Sequence, residues 1–256
     1  MPTWGVVSPS VTLAVVLVAL VALAFGAVAV AGLPLRTAVL TAASRATVQL
    51  AVVSALLVVV LDSIPWTLVY VAGMFVVASA TSTRRLGLPL RRPWAAAPIA
   101  AGALPVVGLV LASGTVPWAP ASILPIAGIV LGGAMTATSL AGRRMADTLD
   151  DRVGEYEAAL TLGFLPGEAS LEVARESAGL ALVPALDQTR TVGLVTLPGA
   201  FVGVLLGGGT AAEAGAAQLL VLIGLLAAES IAVLVTVRLV AARRLVRPEA
   251  LSRLAL

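Results

Sequence analysis

Long apolar blocks separated by short charged segments are the dominant pattern along this chain. Each block is about as long as the roughly 20 residues that an α-helix needs to cross the hydrocarbon core of a bilayer. Charged and turn-forming residues delimit seven blocks, at 11–31, 48–61, 64–79, 94–112, 123–141, 192–208 and 214–237. The pattern predicts an all-α integral membrane protein with about seven transmembrane helices.

Two of these boundaries depend on particular residues. Asp62 closes the second block. Residues 93–142 contain no charge and are too long for one span, but Gly114, Pro117 and Pro120 divide them, because glycine and proline favour turns. No positive charge precedes the first block, which is also longer than the apolar region of a signal peptide. We therefore expect a retained first span.

The composition also points to a membrane protein. Hydrophobic residues make up 60% of the 256 residues and charged residues 11%, whereas soluble domains have roughly 45–50% apolar and about 25% charged residues. We expect residues 1–256 to form a single transmembrane domain without a separate water-soluble domain. Cysteine is absent, which excludes a disulfide framework.

The basic residues are all arginines, and their positions predict the orientation. In a seven-span topology all 16 lie on one side of the membrane: Arg36, Arg45, Arg84, Arg85, Arg91, Arg92, Arg143, Arg144, Arg152, Arg175, Arg190, Arg238, Arg243, Arg244, Arg247 and Arg253. The positive-inside rule makes that side cytoplasmic, with the N-terminus outside and the C-terminus in the cytoplasm. We expect a multi-pass protein of the inner (cytoplasmic) cell membrane, and no nucleic-acid partner.

Small residues recur at helical spacing in two predicted spans. They stand four residues apart, at Gly128, Gly132 and Thr136 in the fifth span and at Gly199, Gly203 and Gly207 in the sixth. Such stripes let helix backbones approach closely in lipid. Close packing is the favoured interpretation, and a part in a transport pathway is the alternative. Pro198 should kink or break the sixth span.

The only sizeable polar stretch, about residues 145–190, lies between the fifth and sixth spans. Apolar residues recur there at three- and four-residue spacing, which predicts an amphipathic helix: Met145, Leu149, Val153, Tyr156 and Leu160. This helix should end near Gly163, and a second should begin near Glu168. The result is a cytoplasmic helix-turn-helix whose turn carries Phe164 and Leu165. These two side chains are expected either under the membrane domain or in a partner's groove.

The first of these helices contains a recognisable signature. Glu157-Ala158-Ala159, followed after three residues by Gly163, resembles the E-A-A-x-x-x-G signature of ABC-transporter permeases. The resemblance implies that this helix-turn-helix docks on an ATPase subunit through Glu157, Ala158, Ala159, Gly163, Phe164 and Leu165. The later Leu-Pro of that signature is replaced by Arg175-Glu176.

Longer blocks resemble the FetB-type permease family of proposed iron exporters, whose plant relatives are tied to aluminium tolerance. The matching residues are Arg45, Gln49 and Leu50, the run from Pro125 to Thr136, the run from Gly193 to Gly208, and Gln218. The resemblance covers about residues 36–240 and implies a permease that exports a metal ion such as iron. Gly133-Ala134 replace the family's Asn-Ser, and Ala200-Phe201-Val202 replace its Met-Met-Thr.

A separate ATPase is also indicated by composition. A Walker A loop needs a lysine to reach the β- and γ-phosphates, and this chain contains no lysine. We therefore expect a transport subunit rather than an enzyme, with no cofactor of its own. ATP would be used by a partner ATPase subunit, and a second copy of the chain is expected beside it in the bilayer.

Polar residues within or beside the spans are candidates for the translocation pathway. They are Arg45, Gln49, Met135, Thr136, Asp187, Pro198 and Glu229. Arg45 is either a functional residue or an interfacial arginine that extends to lipid headgroups. Glu229 is either a pathway residue or a structural partner of a buried donor such as Arg45. Histidine and cysteine are absent, so no metal site is assigned.

Three functions are compatible with these features. The favoured hypothesis is the permease subunit of an ATP-driven transporter. A secondary carrier that couples transport to protonation of Glu229 is the first alternative, although no inverted repeat supports it. The second alternative is a membrane scaffold that recruits a partner through residues 145–190.

Overall fold

The computed structural model describes residues 9–246, and the chain folds there into ten α-helices and one short 3-10 helix. It divides after Ser63 into two compact units. The first unit contains α1 (Val11–Val30) and α2 (Arg36–Val60). Ser10 caps α1, since its hydroxyl accepts a hydrogen bond from the Leu13 N–H.

The second unit contains the remaining helices. They are α3 (Ile64–Arg85), α4 (Ala96–Ala112), α5 (Pro120–Asp151), α6 (Val153–Thr161), α7 (Pro166–Gly179), the 3-10 helix (Leu180–Leu182), α8 (Val183–Thr191), α9 (Gly199–Leu206) and α10 (Ala211–Ala241). The long helices α5 and α10 form its centre, because α4 packs on both of them and α3 packs on α5. In lipid, helices associate mainly through close van der Waals packing, and small residues such as Ala103, Ala134 and Ala228 lie in the core of this bundle.

Within residues 9–246, five helices are long and apolar enough to cross a membrane: α1, α2, α3, α5 and α10. The apolar helix α4 is shorter, with 17 residues. These findings confirm an all-α protein with several membrane spans. The count of seven and the orientation remain predictions, and Arg247 and Arg253 lie outside the described residues.

The predicted sixth span is interrupted at Pro198. Residues 192–197 form an irregular turn with one isolated bridge between Val192 and Thr196. Pro198 is the N-cap of α9, which has only eight residues. The break predicted at this proline is therefore confirmed, because residues 192–208 do not form one continuous helix.

The fifth span and the start of the predicted amphipathic helix are one element, since α5 continues to Asp151. The helix is interrupted only at Arg152, which has φ −113° and ψ 35°. Met145, Leu149 and Tyr156 are buried, which confirms the apolar face. The prediction is wrong for Val153, which is exposed because it follows the interruption.

Close backbone approach occurs at glycines outside the predicted stripes. A β-carbon on Gly102 would lie 2.4 Å from the Ala228 carbonyl oxygen, and one on Gly142 would lie 2.6 Å from a Leu86 methyl group. In contrast, nothing in the described chain lies within 4 Å of such an atom on Gly132, Gly199 or Gly203. The interpretation of the stripes as sites of close packing within this chain is therefore wrong for those three residues. At Gly128, in contrast, an added β-carbon would lie 3.1 Å from the methyl group of Met74.

Candidate functional site

The turn between α6 and α7 is closed by local hydrogen bonds. Gly163 has φ +93°, in the left-handed region that favours glycine. Its N–H donates to the Leu160 carbonyl oxygen, and the Phe164 N–H donates to that of Ala159. On the other side, a carboxylate oxygen of Glu168 accepts from the Leu165 N–H at 2.8 Å and so caps α7. These contacts confirm the helix end near Gly163 and the helix start near Glu168.

The turn presents apolar side chains to its surroundings. Leu162 is 79% exposed, Phe164 41% and Leu165 66%. Of the two alternatives left open by the sequence, these exposures favour a surface available to a partner over burial against the membrane domain. Leu162 was not a sequence candidate, although it directly precedes Gly163 and could have been included with Phe164.

The residues of the E-A-A signature separate into an outer and an inner group. Glu157 and Ala158 are exposed, whereas Ala159 is buried in the hydrophobic core that α6 and α7 share with α5 and α10. That core joins α6 and α7 to the ends of α5 and α10 through Tyr156, Met145, Leu149 and Val173. The turn is therefore an exposed apolar surface on a packed base.

Two arginines also fix the base of this segment. The Arg152 guanidinium donates to the Val173 carbonyl oxygen at 3.1 Å and forms an ion pair with Glu155. Hydrogen bonding to Arg152 holds the pKa of the Glu155 carboxyl below its ordinary value. Arg243, after the end of α10, donates to the Tyr156 hydroxyl at 2.8 Å. The coupling segment, defined as α6, the turn and α7, is thus tied to α10.

Glu229 lies in the middle of α10 with only 9% of its surface exposed. Its carboxylate faces α5, because a β-carbon on Gly133 would lie 2.7 Å from Oε1 of Glu229 and 2.2 Å from a methyl group of Leu225. Among the described residues of this unit, no hydrogen bond or ion pair to the carboxylate is found. Such a buried ionisable group in a membrane span is a candidate for function.

The other pathway candidates are dispersed. Met135, two residues after Gly133 on α5, is partly buried against the bundle core, and Thr136, three residues after Gly133, is exposed. Asp187 is exposed and pairs with Arg190 at 3.7 Å. Arg45 and Gln49 lie in the first unit, exposed on one face of α2. Pairing of Arg45 with Glu229 therefore remains a prediction.

Gln218 of α10 accepts a hydrogen bond from one of the backbone N–H groups in the first turn of α9, which have no partner within that helix. The side-chain oxygen of Gln218, which is buried, accepts from the Phe201 N–H at 3.3 Å. This contact orients the short helix α9 on α10. It gives Gln218 a structural role that its place at the start of a span did not indicate.

A groove of about 590 Å³ lies between α5, α9 and α10. Its lining is mostly apolar, with polar groups from Thr115, Ser122 and Glu213. Its lining includes Ile129 of α5 and Val221 of α10. Ile129 lies four residues before Gly133, and Val221 lies four residues before Leu225, which contacts Gly133. Among the described residues, no group of three or more acidic, histidine or cysteine side chains could hold a metal ion.

Comparison with known proteins gives the family. Residues 11–245 match the uncharacterised protein family UPF0014. The chain belongs to this family. It is 34% identical to the UPF0014 membrane protein STAR2 of Oryza sativa subsp. japonica over 89% of this chain and 79% of that protein. No solved structure matches the chain.

Two further relatives have names that refer to metals. Protein ALUMINUM SENSITIVE 3 of Arabidopsis thaliana is 31% identical over 85% of this chain and 79% of that protein. The probable iron export permease protein FetB of Escherichia coli is 31% identical over 54% of this chain and 53% of its own length. The resemblance to FetB-type permeases and their plant relatives is thereby confirmed for this UPF0014 chain.

Proposed function

We propose that this UPF0014 protein is the membrane-spanning permease subunit of an ATP-driven transporter that exports a metal ion such as iron. The observation that carries the proposal is the apolar turn of the coupling segment, exposed at Leu162, Phe164 and Leu165 above a buried base. Its E-A-A residues, Glu157 and Ala158, are exposed beside it. The proposed partner is a separate ABC ATPase whose groove receives this turn.

The energetics of docking are favourable for such a turn. Burial of a large apolar side chain contributes roughly 1.5–3 kcal/mol relative to exposure, and Phe164 and Leu165 are exposed in the isolated chain. The turn is also ordered before binding, since Gly163 and Glu168 close it by hydrogen bonds. A preformed surface loses less conformational entropy on association.

The pathway assignment depends on Glu229. A carboxylate in a partly watered, low-dielectric site attracts a cation more strongly than in bulk water, and Glu229 is buried at the interface of α5 and α10. The described residues offer no chelating cluster. This combination favours weak passage of a cation over tight binding. A second copy of the chain would supply the other half of the transporter in the inner (cytoplasmic) membrane.

The test is reconstitution of the protein with the ATPase encoded nearest to it. Liposomes that contain both proteins are given Fe²⁺ and ATP on the cytoplasmic side, and accumulation of iron in the lumen is followed. We expect accumulation that requires ATP and both subunits. Iron movement without the ATPase, driven by a proton gradient, would instead support the secondary carrier, and no movement with either driving force would contradict transport of this ion.

A further inference from the structure

Two consecutive arginines follow α10 and contact different parts of the unit. Arg243 donates to the hydroxyl of Tyr156 in α6 at 2.8 Å. Arg244 lies over the ring of Trp94, 4.5 Å from its centroid, in a cation–π contact. Trp94 stands two residues before the start of α4. The end of α10 is therefore connected both to the coupling segment and to the start of α4.

The backbone at Arg243 has an unusual conformation. Arg243 has φ +58° and is the only residue other than glycine with a left-handed backbone in the described part of the chain. A left-handed arginine costs free energy and persists only when surrounding contacts hold it. The contacts of Tyr156 and Trp94 are such interactions, as is the burial of Leu245 and Val246 that follow.

Tyr156 makes the connection to the coupling segment specific. Its side chain is 1% exposed, and it belongs to the core shared by α5, α6, α7 and the segment after α10. A buried phenol usually has a hydrogen-bond partner, and Arg243 provides one across 87 positions of sequence. Movement of α6 would therefore act directly on the end of α10.

The helices α4 and α10 are in turn joined at mid-length. Gly102 of α4 lies against the backbone of Ala228, the residue before Glu229. Side chains at this crossing, including those of Ile99, Ala103 and Ala232, are buried. Closely packed elements transmit displacement because the interior has few voids. Displacement of the end of α10 is thus expected to reach Glu229 and, through this crossing, α4.

We propose that Arg243 and Arg244 are positioning residues that transmit movement of the coupling segment to α4 and α10. We call these two residues, with Tyr156 and Trp94, the arginine clasp. The inference rests on the proposed function, because it assumes an ATPase that moves the coupling segment. It adds the route by which that movement reaches Glu229.

The test uses the full chain in complex with the ATPase. The protein has no cysteine, so spin labels are attached at Ala121→Cys on α5 and Ser230→Cys on α10, both exposed positions. The distance between the labels is measured by pulsed electron paramagnetic resonance without nucleotide and after trapping with ATP and vanadate.

Two variants remove the contact between Arg243 and Tyr156. Tyr156→Phe removes only the hydroxyl, and Arg243→Gly removes the guanidinium while glycine suits the left-handed backbone. Arg238→Gln is the matched control, since it removes a charge from the last turn of α10.

We expect a nucleotide-dependent distance change in the unmodified clasp and in Arg238→Gln. Tyr156→Phe and Arg243→Gly should bind the ATPase normally but show less than half of that change. A full change in both clasp variants would overturn the inference while the proposed function stands. Loss of insertion or of ATPase binding in both would also overturn it, since the contacts would then serve folding. Failure of the wild-type chain to bind the ATPase would contradict the proposed function itself, and the clasp with it.

Discussion

Gly102 of α4 lies so close to Ala228 of α10 that a β-carbon on Gly102 would be 2.4 Å from the Ala228 carbonyl oxygen. We predict that Gly102→Ala destabilises the protein by about 1–3 kcal/mol, because the two backbones must separate. Gly108→Ala on the same helix is the control, since no atom lies within 4 Å of its β-carbon position. Thermal unfolding in detergent should show a lower midpoint for Gly102→Ala alone. Equal midpoints would mean that the helix crossing is looser than described.

The topology is tested by labelling of single cysteines in the cysteine-free chain. Cysteines at Ser113 and Ala212 should react with an impermeant thiol reagent added outside. Those at Thr148 and Thr161 should react only after the membrane is permeabilised, because the arginine distribution places them in the cytoplasm. A cysteine at Ser252, which lies outside the described residues, should behave like that at Thr148. Reaction of Thr161→Cys from outside would contradict the predicted orientation.

The ion pair at the start of α6 predicts a pH dependence. The Arg152 guanidinium holds the pKa of Glu155 below its ordinary value, so the folded state favours the ionised form. The pair should therefore stabilise α6 above the ordinary carboxyl pKa and lose this effect as pH falls through the lowered pKa. Both groups are exposed, so the effect on stability should be small.

Carboxyl-carbon NMR of labelled glutamate measures that titration directly. The midpoint for Glu155 should rise toward its ordinary value in Arg152→Gln, because the largest cause of the shift is the hydrogen bond from Arg152. Arg175→Gln, at an exposed arginine on α7, serves as the control and should leave the midpoint unchanged. The same midpoint in wild type and Arg152→Gln would show that the pair does not form in solution.

The role of Glu229 is tested by its isosteric amide. Glu229→Gln keeps the shape beside Gly133 and removes the charge, so insertion and ATPase binding should be retained. Iron-stimulated ATP hydrolysis should fall at least tenfold if the charge attracts the cation. Ser230→Ala is the control, because that side chain is exposed and bonds only the Leu226 carbonyl within its own helix. Wild-type activity of Glu229→Gln across the working pH range would exclude Glu229 as a pathway residue.

The helices were largely predictable, because membrane spans leave a strong record in hydropathy and charge. The starts of α3 and α5 and the end of α4 fall within about three residues of the predicted positions. The continuation of α5 to Asp151 was not predicted. The charges of Arg143 and Arg144 predict the membrane boundary, but charged side chains do not interrupt backbone hydrogen bonds. A helix can therefore continue past that boundary.

The contacts that connect distant segments could not be read from the sequence. The stripes at Gly132, Gly199 and Gly203 were more regular than the isolated Gly102, yet of these four described glycines it is Gly102 that packs against the backbone of another helix. Small-residue spacing shows where close approach is possible, while the partner depends on tertiary packing. In the same way, Arg243 was one of 16 arginines that predicted the orientation, and only the fold brings it to Tyr156.

The turn at Gly163 to Leu165 was predictable in position, because its glycine, proline and capping glutamate act locally. Its exposure depended on how α6 packs. Tyr156 and Ala159 take the inward face of that helix, which leaves Phe164 and Leu165 outside. The exposed apolar turn therefore depends on both the local sequence and the tertiary structure.

The most direct measurement is the affinity of the purified protein for its ATPase, by biolayer interferometry in lipid nanodiscs. Phe164→Asp should weaken binding at least tenfold, or about 1.4 kcal/mol, because it places a charge in an apolar contact. Leu180→Asp is the matched control, since Leu180 is an exposed apolar residue that directly follows α7, away from the turn. We predict wild-type affinity for Leu180→Asp and a large loss for Phe164→Asp. Equal affinity of wild type and Phe164→Asp, with both correctly inserted, would contradict the claim that this turn docks on an ATPase.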